Sequence, residues 1–147
     1  MVPDEIRNAL IKVTQILQNK VSWAIDGSCA LALQGIRVTP HDIDILTDAG
    51  NAYRIENILK EFLIREVRYG ETDQWRSHFG IFSIDSVKVE IMGDLQSFRD
   101  GKWGRIQNPA LVSVVNVELD SVNVPVVSLS SLESTGYLQR RFKREQE

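Results

Sequence analysis

Apolar positions recur along this chain with two different periods. From Asp4 to Asn19, Ile6, Leu10, Val13, Ile16 and Leu17 fall at helical spacing, and Pro3 suits a first-turn position. The spacing predicts an amphipathic helix. Val21 to Ile25 is a short apolar run and predicts a strand, broken by Asp26-Gly27-Ser28. Cys29 to Gln34 is small and helix-prone, and Gly35 stops it. After a Thr39-Pro40-His41 loop, Asp42 to Leu46 alternates acidic and apolar residues, the period of a strand with one polar face. Asp48 to Phe62 returns to the helical period through Ile55, Ile58, Leu59 and Phe62.

The second half is strand-like. Arg76–Ile84 and Val87–Met92 are joined at Asp85-Ser86, a tight-turn pair. Asp94 to Asn108 is polar, contains Gly101 and Gly104, and is expected to be a loop with a helical turn at most. Leu111–Leu119 and Val122–Val127 form a second expected hairpin around Asp120-Ser121, with Pro125 marking an edge strand. Ser128 to about Arg144 closes the chain as a helix, capped by Ser128 or by Ser130 with Glu133 three residues on. Helices separate the early strands and the later strands cluster. The expected class is therefore α/β (α+β), a mixed sheet flanked by helices in one domain over residues 1–147.

Composition narrows the function. The 147 residues are 43% hydrophobic and 25% charged, enough for a real core and inconsistent with wholesale disorder. A net charge of −3 excludes a surface that is basic throughout. The single cysteine, Cys29, excludes an internal disulfide and a multi-cysteine zinc cage. No apolar run approaches the roughly 20 residues of a membrane span, and Met1-Val2-Pro3-Asp4-Glu5 has no signal-peptide apolar core. The expected setting is the cytoplasm, with no membrane partner.

The candidate chemistry sits in His41-Asp42-Ile43-Asp44-Ile45-Leu46. On a strand, Asp42 and Asp44 project from one face with Cα atoms about 6–7 Å apart. Two carboxylates so close repel, and a hard divalent cation with oxygen preference relieves the repulsion. In Val87-Lys88-Val89-Glu90-Ile91-Met92 the valines and Ile91 take the buried face, so Glu90 is the candidate third acid, with Asp94 less favoured. An Asp-x-Asp triplet alone is more often a solvated strand face or turn than a metal site. Gly27-Ser28, between a strand and a helix, suits close approach of a phosphate, although Ser28 or Asp26 equally reads as a helix cap. No Walker lysine and no Gly-x-Gly-x-x-Gly is present.

The succession of strand, Gly27-Ser28, short helix, loop and Asp42-x-Asp44, fourteen positions after Ser28, resembles the nucleotidyltransferase superfamily over residues 21–94. It is similar to small prokaryotic members akin to lincosamide and aminoglycoside nucleotidyltransferases and to toxin–antitoxin components. The resemblance implies transfer of a nucleoside monophosphate from a nucleoside triphosphate to a hydroxyl acceptor: a small molecule, a protein or an RNA. It implies catalytic and metal-ligating roles for Asp42, Asp44 and Glu90 with Mg²⁺ (or Mn²⁺), and a triphosphate site at Gly27 and Ser28. Glu90 departs from the aspartate more usual at the third position. Arg37, just before the acidic strand, is either a phosphate contact or an exposed loop cation. Lys102-Trp103 with Arg105 reads as a loop anchored by its tryptophan or as a base or acceptor contact, and the basic run at Arg140, Arg141, Lys143 and Arg144 as cations complementing the last helix's C-terminal end or as a nucleic-acid or partner contact. Two alternatives stand beside the enzyme. One is a non-catalytic module of the same fold that binds nucleotide or depends on a partner, as a homodimer or toxin–antitoxin component. The other is a metal-dependent phosphohydrolase, disfavoured by the Gly-Ser turn.

Overall fold

The computed structural model describes residues 2–138 and Arg141. Among the described residues, eight strands form one sheet: β1 (Ala24–Asp26), β2 (Ile43–Thr47), β3 (Leu63–Glu71), β4 (Trp75–Ile84), β5 (Val87–Arg99), β6 (Lys102–Trp103), β7 (Val114–Leu119) and β8 (Val122–Val127). The order is β3-β4-β5-β2-β1-β8-β7, with β6 paired to the end of β5. The β2/β5 and β1/β8 pairs are parallel and the others antiparallel. The expected mixed sheet with flanking helices is the observed architecture.

Helix α1 (Asp4–Leu17) buries Ile6, Ala9, Leu10, Val13 and Leu17, the stripe its period dictates. Helix α3 (Ala49–Ile58) packs beside it over the same face of the sheet. Ile25, Ile43, Ile45, Phe82 and Ile91 are fully buried in the core. Helices α2 (Gly27–Leu33) and α4 (Leu129–Ser134) contact each other, and α2 packs against β1, β2 and β8.

The hairpin turns behave as their residues require. Asp85 and Ser86 have φ of 51° and 67°, and Asp120 and Ser121 have 48° and 67°. Two successive positive φ values give a turn whose twist matches antiparallel strands, and Asp is among the residues that tolerate them. At α3, Asp48 caps the helix by accepting from the Asn51 backbone N–H at 2.8 Å. Asp48→Ala is expected to cost about 1 kcal/mol in a urea titration, with nucleotide binding unchanged.

Several boundaries differ from the sequence expectation. The strand expected at Val21–Ile25 lies at Ala24–Asp26, and Asp42 immediately precedes β2 rather than opening it. The helix expected through Phe62 ends at Ile58 and tightens into a 3₁₀ turn, with the Phe62 N–H bonded to the Leu59 carbonyl. β3 had no counterpart in the periodicity, because two register shifts, between Leu63 and Arg65 and between Arg65 and Arg68, break its alternation. The stretch expected to be a loop from Asp94 is instead the continuation of β5 to Arg99 and a hairpin into β6. Asp94 interrupts it at φ 51°, and its Oδ1 accepts from Asn108 Nδ2 at 2.9 Å. β7 starts at Val114 rather than Leu111. Pro125 is not on an edge: β8 lies between β7 and β1, and proline is accommodated where the three-residue β1 meets β8 only around Ile25 and Val126. Ser128, not Ser130, is the cap of α4, which ends at Ser134; Gly136 at φ 83° interrupts the expected helix, and Tyr137, Leu138 and Arg141 are helical again. Arg140, Lys143 and Arg144 lie outside the described residues.

Candidate active site

Strand register sets the site. Asp26 at the end of β1 is paired with Asp44 of β2, and Asp44 with Glu90 of β5. Their Ile25, Ile45 and Ile91 neighbours are fully buried. Alternation therefore places three carboxylates side by side on one face. They form the floor of a cleft of about 550 Å³. Trp75, Phe79, Met92 and Tyr137 supply apolar and aromatic wall, and Arg65 and Arg76 also line it.

The acids are in conflict. Burial, then the charges of Glu90, Asp26 and Asp42, push the Asp44 carboxyl up to about 8. Lys88 offsets part of this repulsion: its Nζ is 3.0 Å from Glu90 Oε1 and 3.7 Å from Asp42 Oδ2. Its own ammonium is held charged more firmly by the hydrogen bond to Glu90. Tyr137 is raised by burial and by proximity to Asp44 and Asp26, against an opposing hydrogen bond to Arg141.

Gly27 has φ 64° and opens α2 directly against the acids. A Cβ at this position would collide with Asp44 Oδ2 and lie 3.2 Å from its Cγ. Asp26 makes no side-chain cap on α2. Its carboxyl lines the cleft instead. Cys29 is fully buried, and its Sγ donates to the Asp42 carbonyl at 3.3 Å. Burial, with Asp44 and Asp42 nearby, pushes its thiol up to about 12, so it acts as a packed, inert anchor below the loop that presents Asp42.

The sequence candidates thus separate. Asp44, Glu90 and Gly27 meet in the cleft, whereas Asp42 stands outside its lining, tied to the acids through Lys88. Ser28 lies in the first turn of α2 and Arg37 on an exposed bend, and neither lines the cleft. Arg65 and Arg76 do, and the braced one is Arg76. Its Nε donates to Gln96 Oε1 at 2.9 Å, it pairs with Glu71 at 3.5 Å, and its Cζ sits 4.3 Å from the Trp103 ring centroid. Trp103 is packed edge-on against Phe98, as a tryptophan that anchors its segment, and supports Arg76 from outside the cleft. Asp26, Trp75 and Tyr137 also line the cleft. Asp26 carried a signal, as an acid ending an apolar strand, but a helix cap explains that pattern equally well.

Among the described residues, no three His, Cys, Asp or Glu side chains are already gathered to hold a metal ion. The donor set nevertheless fits a hard divalent cation. Adjacent carboxylate oxygens repel one another across neighbouring strands, and an ammonium is already drawn to them. No helix among the described residues is long and apolar enough to cross a membrane.

A crystal structure of a Thermotoga maritima protein, provisionally assigned as a nucleotidyltransferase, is similar at 40% identity and a TM-score of 0.84, over 99% of this chain and 92% of that one. The crystal structure of ANT(2'')-Ia in complex with adenylyl-2''-tobramycin matches at 13% identity and a TM-score of 0.54, over 91% of this chain and 74% of that one, and shares the fold. No curated relative matches the chain. The family model described as aminoglycoside-2''-adenylyltransferase matches residues 9–145. With this match and the carboxylate-floored cleft of a nucleotidyltransferase fold, the chain belongs to the aminoglycoside-2''-adenylyltransferase family.

Proposed function

We propose that the chain transfers a nucleoside monophosphate from a nucleoside triphosphate to a hydroxyl acceptor and releases pyrophosphate. The observation that carries this is the row Asp26, Asp44, Glu90, fixed by strand register on the floor of a cleft, in a chain of this family. Asp44 and Glu90 would hold a Mg²⁺ or Mn²⁺ ion, with Asp42 and Asp26 flanking them. Such an ion, when bound, neutralises charge developing on the phosphoryl oxygens and the pyrophosphate.

The protein's own groups supply the rest. Gly27 allows the triphosphate to approach the start of α2, where Ser28 offers a hydroxyl. Arg76, braced by Gln96 and Trp103, is positioned to draw phosphate oxygens along the wall. Arg37 is left to the surface in this reading. Glu90, on the cleft floor, takes the proton of the acceptor hydroxyl as its oxygen bonds to the α-phosphorus and the α–β anhydride bond breaks. The aromatic walls at Trp75, Phe79 and Tyr137 suit a base or the body of an acceptor. The acceptor class stays open between a small molecule, a protein hydroxyl and an RNA. The setting we assign is cytoplasmic.

The test is calorimetric titration with ATP, GTP, CTP and UTP in Mg²⁺ or Mn²⁺, followed by pyrophosphate release with candidate acceptors. At least one triphosphate is expected to bind only with the cation present. If none binds, the chain is a module that keeps the fold without the activity, completed by a second copy or another partner.

A further inference from the structure

Lys88 precedes Glu90 by two residues on β5 and so shares its face. The single ammonium spans carboxylates of two neighbouring segments, at 3.0 Å from Glu90 Oε1 and 3.7 Å from Asp42 Oδ2. It touches only one end of the acid row. Asp44 and Asp26 occupy the other end, inside the cleft, and Lys88 does not line that cleft. An ammonium and a hard divalent cation compete for the same carboxylate oxygens, so a metal bridging Asp42 and Glu90 would have to displace Lys88.

We propose that Lys88 fills one of two cation positions on the acid row, so that the chain takes a single divalent cation, at Asp44 and Glu90. Lys88 is a positioning residue: it touches the carboxylates and sets how many cations they accept. The inference deepens the nucleotidyltransferase reading and rests on it.

The experiment titrates Mn²⁺ alone into the full chain and follows unbound Mn²⁺ by electron paramagnetic resonance, for wild type, Lys88→Gln and Lys88→Arg. The Lys88 side chain is 49% exposed, so neither change disturbs the core, and circular dichroism melts confirm folding. Wild type and Lys88→Arg are expected to bind one Mn²⁺ per chain. Lys88→Gln is expected to bind a second. A Lys88→Gln protein with the stoichiometry of wild type, whatever its affinity, overturns the inference and leaves the proposed reaction standing. No Mn²⁺ uptake by any of the three overturns the inference and the metal-dependent reading together. The expected Mn²⁺ counts with no nucleotide binding and no pyrophosphate release sink the transferase reading alone.

Discussion

Replacing Asp44 by Asn is expected to raise the melting temperature of the metal-free chain, and to raise it more at pH 8 than at pH 5. The wild-type carboxyl is pushed up to about 8 by burial and by Glu90, Asp26 and Asp42. An unfolded-state aspartate titrates at about 3.9. Between these values the folded chain holds a proton that the unfolded chain has lost. Stability from this group is fully present below the unfolded value and is lost as pH rises toward 8. Each pH unit in that window removes up to about 1.4 kcal/mol. Asparagine keeps the shape, cannot ionise, and so flattens the profile. With Mg²⁺ and the preferred triphosphate the order reverses, because only the wild type gains from binding. Pyrophosphate release by the variant should fall at least about a hundredfold, the scale of losing one preorganised electrostatic group. Thermal melts at both pH values, with and without Mg²⁺ and nucleotide, check the crossing. A variant less stable than wild type at both pH values in the absence of metal would show Asp44 to be a structural acid.

The alternation that exposes this conflict is the part of the site legible in the sequence. Asp42, Asp44 and Glu90 each stand beside buried isoleucines or valines, and a period of two assigns them a face without any knowledge of the neighbouring strand. Which acids become neighbours depends on register. The parallel pairing of β2 with β5 sets Glu90 against Asp44, and the loop end at Asp42 falls toward Lys88 instead. At Asp26 an acid before Gly-Ser reads as a helix cap, and only the pairing of β1 with β2 sets it beside Asp44 in the cleft. The bulged β3 and the Asp94 interruption in β5 hid regular pairing behind irregular local pattern. Tyr137 and Trp75 reach the same cleft from segments far apart in the chain, a convergence that no local period encodes.

Gly27→Ala tests the close contact between the turn and the acids. Two separate costs are expected. The φ of 64° is strained for any residue with a Cβ, by about 1–2 kcal/mol. The added methyl group also meets the Asp44 carboxylate, which must turn away or force α2 to shift. Gly35→Ala isolates the first cost, since φ there is 92° and a Cβ would meet nothing within 4 Å. Gly35→Ala should lose about 1–2 kcal/mol in urea unfolding and keep nucleotide binding. Gly27→Ala should lose more and weaken metal-dependent triphosphate binding at least tenfold. Combining Gly27→Ala with Asp44→Ala removes the collision partner, so the glycine substitution should then cost no more than the Gly35 control. Additive losses in the double variant would mean that the collision is relieved elsewhere, and that Gly27 serves the backbone turn without shaping the position of Asp44.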